Sequence, residues 1–387
     1  MMILWQKMLI DGSFALLSVM LEMTIKIYKD RHSAYGIPHQ LLNCKSLRNL
    51  RMQVDGGPYY ADIILPKSMD LPRLKFLRLD GFSISNVELS KKLFSSCPFL
   101  KTLEIVDCDI GTDDERNLTV NSLSLKKFGF VIYTHRPLQS QNHAMTKIIK
   151  LSAPNLKGFS FTSSMALYSL ENCSPLSHVD FDMTLEEGGE NENADAYSRL
   201  PSEQKEVYAK RMMKFLGAVS MVKTMIISVG FLEVVSRAPD LSDCQPPCLS
   251  NLQFLMLGMW STRGCLRAIA FLLSISPNIS KILVISKESS LSDVGDDWEA
   301  GLSLQGILSH LKYVHIREVE GCDAELKLLS FLLKSAKVLK QVVLHPRSTI
   351  DSPDRVRRQF RSKLRALPRA SSHIIMRWPA TKSTYLI

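Results

Sequence analysis

Cysteine and histidine are the side chains of this chain best suited to metal binding or nucleophilic chemistry. The sequence contains eight cysteines and nine histidines. Cys244 and Cys248 form a C-x3-C pair around two prolines, but no second C-x2-C or H-x3-H pair accompanies them to complete a zinc site. The histidines have no metal-ligand spacing with one another. We therefore expect no metal and no other cofactor.

Acidic side chains could bind a cation or act as general acids and bases. The densest acidic cluster lacks the spacing and the glycine of an EF-hand loop, which favours a solvated turn. The chain also has no phosphate-binding loop, no dinucleotide-binding G-x-G-x-x-G and no G-x-S-x-G motif. Without a converging nucleophile, base and oxyanion donors, we do not expect an enzyme. The cluster consists of Asp107, Asp109, Asp113, Asp114 and Glu115.

The net charge of +10 is partly concentrated near the carboxy terminus. Seven basic residues lie there in fifteen positions without one acid, and they follow Ser352 and Pro353, which suit the N-cap and first turn of a helix. We interpret this run as the solvated face of a terminal helix, with binding to an acidic surface or nucleic acid as the alternative. The basic residues are Arg355, Arg357, Arg358, Arg361, Lys363, Arg365 and Arg369, and the apolar stripe is Val356, Phe360, Leu364 and Leu367.

The cysteines are spread along the chain and no secretory signal precedes them, so reduced thiols in the cytoplasm or the nucleus, or both, are expected. The first 27 residues are apolar, but their longest run, 12–20, is much shorter than the roughly twenty residues that cross a membrane. A buried element at the end of a fold is therefore favoured over a signal peptide. We expect no membrane association.

An internal repeat organises the chain that carries these residues. A cassette with the pattern apolar-x-x-apolar-x-apolar recurs eleven times, and most spacings lie between 25 and 32 residues. The last two apolar residues are two apart, so they share one face of a strand, and stacked strands can bury a face that no single repeat could bury. The cassettes begin at Leu47, Leu74, Leu100, Leu125, Leu156, Leu176, Val222, Leu252, Ile279, Leu311 and Leu339.

The segments between cassettes carry the chain back to the start of the next strand. A short helix is predicted between Val87 and Phe99, and apolar residues three and four apart predict helices around 266–273 and 326–333. An insertion at about 186–217 opens with an acidic loop and continues as a helix from Ser202 to Leu216, either as a return helix or as a partner-contacting element. The predicted fold is an α/β leucine-rich-repeat solenoid, a horseshoe with parallel strands on one side and helices or irregular returns on the other.

Some cassettes, together with the segments just before them and the carboxy-terminal part of the chain, resemble a known protein family. NCKSLRNLRMQV, FSSCPFLKTLEIVDCDI and the segment from LSHLKYVHI to LPRASSHIIMRW resemble the repeats and the FBD domain of plant F-box/LRR/FBD proteins. The resemblance implies an amino-terminal cap at 1–40, repeats at 41–300 and an FBD-like end with a cap at 301–380. It also implies a substrate-recognition role in an SCF ubiquitin ligase. Residues 1–40 contain no F-box pattern, so Skp-type adaptor binding is not expected of them.

The expected partner is a protein of unidentified kind, bound on the strand side of the repeats. Side chains between the buried cassette positions must point away from the core. Nucleic acid or another polyanion, bound through the basic carboxy-terminal helix, is the less favoured alternative. The predicted partner-binding residues are Arg48, Arg51, Lys75, Arg78, Glu104, Phe254, Met256, Tyr313, His315 and Arg317.

Overall fold

The computed structural model describes residues 22–28, 34–55, 60–132, 148–163, 167–171, 173, 175–183, 201–236, 247–260, 265–287, 308–347 and 354–379. The chain divides into two compact units. Unit 1 contains residues 1–176 and 186–191, and unit 2 contains residues 177–185 and 192–387. The three-part division at residues 40 and 300, which the family resemblance implies, stays a prediction.

Unit 1 contains thirteen strands, one α-helix and a 3-10 helix (Leu41–Asn43) among its described residues. In chain order they are β1 (Glu22–Tyr28), β2 (Tyr35–Gly36), β3 (Asn49–Asp55), β4 (Ala61–Ile64), β5 (Phe76–Asp80), β6 (Phe82–Ile84), α1 (Val87–Ser95), β7 (Thr102–Val106), β8 (Asp109–Ile110), β9 (Asn117–Asn121), β10 (Lys127–Val131), β11 (Ile148–Ser152), β12 (Gly158–Ser163) and β13 (Leu167–Glu171).

The main sheet of unit 1 is built from the cassettes. Its strands β1, β3, β5, β7, β10 and β12 are parallel neighbours in that order. Equivalent cassette residues face each other, with Leu77 opposite Leu103 and Phe128 opposite Phe159. All four are buried, and the two phenylalanine rings stack at 6.1 Å. Each such side chain contributes about 1.5–3 kcal/mol by leaving water, so the repeat itself supplies the core.

The returns of unit 1 are mostly strands, where helices or irregular segments were predicted. Strands β2, β4, β6 and β8 form one parallel sheet, and β9, β11 and β13 form another. Their sequences, such as NLTVN and IIKLS, are rich in β-branched residues, which favour strands. Helix α1 is the one α-helix described in this unit, and the side chain of Asn86 caps it by accepting the N–H of Leu89 at 2.9 Å.

Unit 2 contains seven strands and five α-helices among its described residues. In chain order they are β14 (His178–Met183), α2 (Ser202–Ala218), β15 (Thr224–Ile227), α3 (Val229–Ser236), β16 (Phe254–Trp260), α4 (Leu266–Ser274), β17 (Lys281–Lys287), β18 (Tyr313–Val319), α5 (Asp323–Ser335), β19 (Gln341–Pro346), α6 (Asp354–Ala366) and β20 (Ile375–Arg377).

The strands β14 to β20 of unit 2 form a parallel sheet in chain order. The cassettes again align, because Leu255 lies opposite Ile282 and Ile282 opposite Val314. Helices supply the returns between most of these strands. The fold is therefore mixed α/β with parallel sheets, as predicted from the cassette pattern.

Helix α2 is a packed return helix. The ring of Phe215 lies 4.3 Å from that of Phe181 on β14 and 6.0 Å from that of Phe231 on α3. The helix was predicted from Ser202 to Leu216 with Ser202 as its cap. In the structure Ser202 is the first helical residue, and Pro201 is the N-cap. The loop at 186–200 lies outside the described residues.

Two further details differ from the sequence-based expectation. Helix α3 was not predicted, because all eight of its residues are buried and an apolar stripe is invisible in a helix that is covered all round. In α5 the buried stripe contains Leu328, whereas the predicted Leu326 is only half-buried. The predicted cap at Ser352 and Pro353 lies outside the described residues.

Candidate binding faces of the two units

The strand alternation places eight of the ten predicted partner-binding residues on the side of each main sheet that faces away from the core, and Arg48 and Lys75 lie just before their strands. Arg51 and Arg78 lie between buried residues of β3 and β5, and His315 lies between Val314 and Ile316. The other predicted residues lie either at equivalent strand positions or directly before a strand, as Arg48 and Lys75 do. All ten are exposed or half-buried. Their exposure agrees with the prediction, and their binding role stays a prediction.

Two arginines on the face of unit 1 contact side chains of the same face. The guanidinium of Arg78 contacts Asp80 at 2.9 Å and Glu104 at 3.2 Å. Burial works against the charged form, but these hydrogen bonds outweigh it and raise the pKa of Arg78. The guanidinium of Arg51 lies 5.0 Å from the ring centroid of Phe76. Arg78 and Arg51 therefore each have an intramolecular partner, and the two carboxylates reduce the charge that Arg78 presents to a ligand.

The face of unit 2 has a row of aligned residues, one from each strand, which we call the central row. Strand register places them opposite one another from β14 to β20. The row begins with an acid and continues with three apolar residues, after which one apolar residue lies between a histidine and an arginine; the two apolar residues on either side of the histidine, Leu283 and Val343, are buried. It consists of Asp180, Ile226, Met256, Leu283, His315, Val343 and Arg377.

Cations surround His315 in this face. Burial lowers the pKa of His315 most, and the charges of Lys281, His345 and Arg317 lower it further. The pKa of His345 is lowered in the same way, by burial and then by Arg317. The Nζ of Lys281 also lies 5.1 Å from the ring centroid of Phe254. The two histidines therefore resist protonation where positive charge has already accumulated.

The predicted partner-binding residues include only part of this face. Met256 and His315 are among them, whereas Asp180, Ile226, Leu283 and Val343, which occupy the same place in their own cassettes, are not. Each lies between the last two apolar residues of its cassette, as Asp180 lies between Val179 and Phe181. That position was readable in the sequence. The contribution of His345 was not, because it depends on the pairing of β18 with β19.

The predicted acidic turn is held together by hydrogen bonds within the turn. The carboxylate of Asp113 accepts the backbone N–H of Asn117 at 2.7 Å and that of Glu115 at 3.1 Å. These bonds, with that of Asn117 first, lower the pKa of Asp113. Within the described ranges no three metal-ligating side chains cluster, although Cys244 of the C-x3-C pair lies outside those ranges. No helix in the described part is long and apolar enough to cross a membrane.

The basic helix α6 packs against unit 2 through its apolar stripe. Phe360 and Leu364 are buried, and the ring of Trp378 lies 6.0 Å from that of Phe360. The guanidinium of Arg361 lies 4.7 Å from the centroid of Trp378, and Lys363 pairs with Asp323 at 3.4 Å. These contacts agree with the interpretation of α6 as a packed terminal helix. The side chains of Arg355 and Arg357 lie outside the described set.

Comparison with known protein families gives two matches. Residues 304–344 match the FBD family, and residues 18–182 match the leucine-rich repeats of an FBD-associated F-box protein. Similar proteins of Arabidopsis thaliana include the F-box/FBD/LRR-repeat protein At1g78750, 26% identical over 87% of this chain and 68% of that protein. F-box/LRR-repeat protein 13 is 26% identical over 90% of this chain and 71% of that protein. The resemblance predicted from sequence is confirmed.

Proposed function

We propose that this relative of the plant F-box/FBD/LRR-repeat proteins is a leucine-rich-repeat solenoid that binds another protein and catalyses no reaction. The carrying observation is the central row of unit 2, where apolar side chains lie on the outward face of a sheet. Ile226 and Met256 are half-buried there although the core lies on the other side, whereas Leu283 and Val343 in the same row are buried. Apolar residues that remain accessible on a regular surface mark interaction sites more often than polar ones do.

The strand side suits protein recognition because it repeats at a fixed spacing. Neighbouring parallel strands lie about 4.8 Å apart, so each repeat adds one outward side chain per row at a regular interval. Outward residues that differ from repeat to repeat can then contact a partner's surface, while the apolar residues of the cassettes keep the core the same in each repeat. Phe254 and Tyr313, which lie on β16 and β18, add aromatic contact area beside the central row.

We further propose that the bound protein is a target for ubiquitylation and that binding occurs in the cytoplasm or the nucleus. The names of the similar proteins include the F-box, and in the family that the sequence resembles the F-box contacts the Skp-type adaptor while the repeats hold the target. The repeats of this chain correspond to the target-holding part. Adaptor contact by residues 1–40 is not included in the proposal.

Affinity capture from plant tissue with paired variants tests the protein-binding proposal. Met256→Glu changes the face of unit 2, and Val207→Glu makes the same type of change on α2, where Val207 is 45% exposed. Arg51→Glu and Lys67→Glu form the corresponding pair in unit 1, at one face residue and one exposed residue off the main sheet. We expect a captured protein to be lost with at least one face variant and kept with both controls. If both face variants retain every captured protein, the strand sides are not the binding surface.

A further inference from the structure

A base follows the first apolar residue of the cassette in five consecutive cassettes of unit 1. All five side chains are exposed. They come directly before β3, β5, β7, β10 and β12, which are neighbours in the main sheet. The bases therefore lie in one row along the edge where these strands begin. We call this row the basic stripe, and it consists of Arg48, Lys75, Lys101, Lys126 and Lys157.

Backbone hydrogen bonds fix the spacing of the basic stripe. The N–H of Lys75 donates to the carbonyl oxygen of Arg48 at 2.7 Å, and that of Lys101 donates to the carbonyl oxygen of Lys75 at 2.8 Å. Lys126 and Lys157 each donate to the preceding member in the same way, also at 2.8 Å. Each step thus equals one strand spacing of about 4.8 Å, so Arg48 and Lys126 lie about 14 Å apart.

Nearby acids do not balance the charge of the basic stripe. In the part of the chain that the structure describes, none of its first four members pairs with a carboxylate. Two acids of the same repeats pair with other bases, because Asp70 contacts Lys45 and Glu104 contacts Arg78. Like charges that face each other on neighbouring strands repel, which opposes folding. An acidic ligand would relieve this repulsion.

The fold does not require a base at this cassette position. In unit 2 the same position makes the same backbone hydrogen bonds, as the N–H of Gln253 donates to Lys223 and that of Ser280 donates to Gln253, both at 2.9 Å. Neutral residues nevertheless occupy half of the six places there. Those neutral residues are Ser177, Gln253 and Ser280, and the bases are Lys223, Lys312 and Lys340. The unbroken row of bases is therefore a feature of unit 1 alone.

Two exposed apolar side chains lie beside the basic stripe. Phe99 precedes Lys101 by two residues and is 61% exposed, and Leu123 precedes Lys126 by three residues and is 77% exposed. They belong to neighbouring repeats, since β7 pairs with β10. Apolar side chains exposed next to each other on a surface indicate a contact site. An aliphatic side chain such as Leu123 suits a protein ligand better than nucleic acid, whose contacts with a row of bases are mainly through phosphates.

We propose that the basic stripe of unit 1 binds an acidic amphipathic helix of the partner protein, with carboxylates facing Lys75, Lys101 and Lys126 and apolar side chains covering Phe99 and Leu123. This inference rests on the proposed protein-binding function and specifies a ligand and a further surface for it. Residues one turn apart on a helix have Cβ atoms about 5–6 Å apart, close to the step of the stripe. Alternate residues of an extended chain lie about 6.6 Å apart, which fits less well. Three turns of helix, each about 5.4 Å long, cover the first four members of the stripe.

Four labelled peptides of about eighteen residues provide the probe. Three of them form an amphipathic helix with the same leucines, and beside the leucines they carry glutamates, glutamines or lysines at four-residue spacing. The fourth is the glutamate peptide with a proline at its centre, which breaks the helix. Anisotropy titration with the full chain at low salt measures all four affinities.

The glutamate peptide should bind most tightly. An exposed ion pair changes affinity by about twofold, so three pairs should favour the glutamate peptide over the glutamine peptide by about tenfold, and the lysine peptide should bind weakest. The proline peptide should bind about threefold or more weakly than the glutamate peptide, because it has to order its chain on binding. If the glutamate peptide binds no better than the glutamine peptide or the proline peptide, the proposal is overturned.

Charge reversal identifies the surface. Lys101→Glu combined with Lys126→Glu should weaken the glutamate peptide about tenfold and strengthen the lysine peptide. The control is Lys312→Glu combined with Lys340→Glu, which reverses the same charge at the same cassette position of unit 2. It should bind like the parent chain. All four side chains are exposed, and circular dichroism melting verifies that both variants fold. If both variants alter binding equally, overall charge explains the effect and the surface assignment fails.

The apolar neighbours distinguish a protein ligand from a general polyanion. Phe99→Ser combined with Leu123→Ser should weaken the glutamate peptide about fivefold, because its leucines lose their contacts. An unchanged affinity in this variant would contradict the proposed ligand. A single-stranded oligonucleotide that displaces the glutamate peptide from Lys101 and Lys126 would identify a polyanion surface and overturn the inference.

Two outcomes separate this inference from the broader function. If Met256→Glu loses a captured protein but the peptides do not distinguish charge, protein binding stands and the acidic helix is wrong. If Met256→Glu, Arg51→Glu and the variant that combines Lys101→Glu with Lys126→Glu all retain every captured protein, the proposed function itself fails.

Discussion

Glu325 holds the turn that leads from β18 into α5. It is fully buried at the third position of the helix, and its carboxylate accepts three backbone N–H groups. The donors are those of Gly321 at 2.7 Å, Glu320 at 3.0 Å and Cys322 at 3.2 Å. Such reciprocal capping satisfies donors that a helix start leaves without partners. Substitution of Glu325 therefore tests how much this turn contributes to the stability of unit 2.

The expected loss in the free energy of unfolding follows from the number of backbone N–H groups that Glu325 accepts. A buried polar group without a partner costs about 1–3 kcal/mol. Glu325→Ala removes both oxygens, and we expect it to lower the free energy of unfolding by about 2–4 kcal/mol, less than three full penalties because water can reach part-buried N–H groups. Glu325→Gln keeps one oxygen but turns an NH2 group toward a donor, so a loss of about 1–2 kcal/mol is expected.

Urea unfolding followed by circular dichroism measures the loss, and hydrogen exchange of the amides at 320–322 shows whether it is local. The matched control is Glu203→Ala, which removes an exposed first-turn acid from α2. Its expected cost is at most about 0.5 kcal/mol, from the helix dipole alone. If Glu325→Ala costs no more than Glu203→Ala, the three hydrogen bonds do not stabilise the turn and the reasoning is refuted.

Three further predictions concern packing, pH and stacking. Gly230→Ala should destabilise unit 2 by about 2 kcal/mol or more, because a Cβ there would lie 2.1 Å from the carbonyl oxygen of Met183. As the control, Gly217→Ala in α2 adds a Cβ that meets nothing within 4 Å and should stabilise the protein by up to about 1 kcal/mol. Urea unfolding measures both. The lowered pKa values of His315 and His345 mean that the folded state disfavours their protonation. Stability should therefore be full above their usual value of 6.5 and fall as the pH drops through the lowered values. The urea midpoints at pH 7.5 and 5.0 should differ less in the variant that combines His315→Asn with His345→Asn, and an unchanged difference would contradict the assignment. Arg361→Gln should cost about 0.5–1 kcal/mol and alter Trp378 fluorescence by removing the stacked guanidinium, and unchanged emission would argue against that contact.

The main sheets were predictable because the cassette specifies both which residues share the buried face of a strand and how far apart along the chain successive strands lie. Two buried residues separated by one outward residue fit a strand, and their recurrence aligns one strand with the next. The same rule also covers β1, where Met20, Met23 and Ile25 form a further cassette in the apolar segment that was predicted only to be a buried element at the end of the fold. In the structure Met23 lies opposite Leu50 and Ile25 opposite Met52.

The returns were less predictable because their local patterns compete. Helix α4 has a clear apolar stripe and was predicted, whereas α3 is buried on every side and gives no periodic pattern. The return strands of unit 1 are two to five residues long, too short for alternation to be recognised before the pairing partners are known. These elements are determined by which strands pair with one another in the folded structure, and a single sequence does not show that pairing.

The outward residues of the sheets were predictable in position but not in combination. Alternation exposes Arg78 and His315 equally well, yet one lies between carboxylates and the other among cations. That difference depends on which residues the neighbouring strands bring to the same row. The charge character of each face therefore follows from register, which had to be seen in three dimensions.

The composition of the central row argues for selection beyond folding. In each strand of unit 2 the cassette already supplies the buried pair, such as Leu255 and Leu257 on β16. The residue between them faces away from the core, so stability does not require it to be apolar. Ile226 and Met256 nevertheless occupy that position on two consecutive strands and are half-buried, whereas Leu283 on the next strand is buried. Replacing Met256 with Gln should therefore leave the free energy of unfolding within about 0.5 kcal/mol of the parent value while weakening capture of the partner protein, and a larger loss of stability would assign Met256 to the core instead.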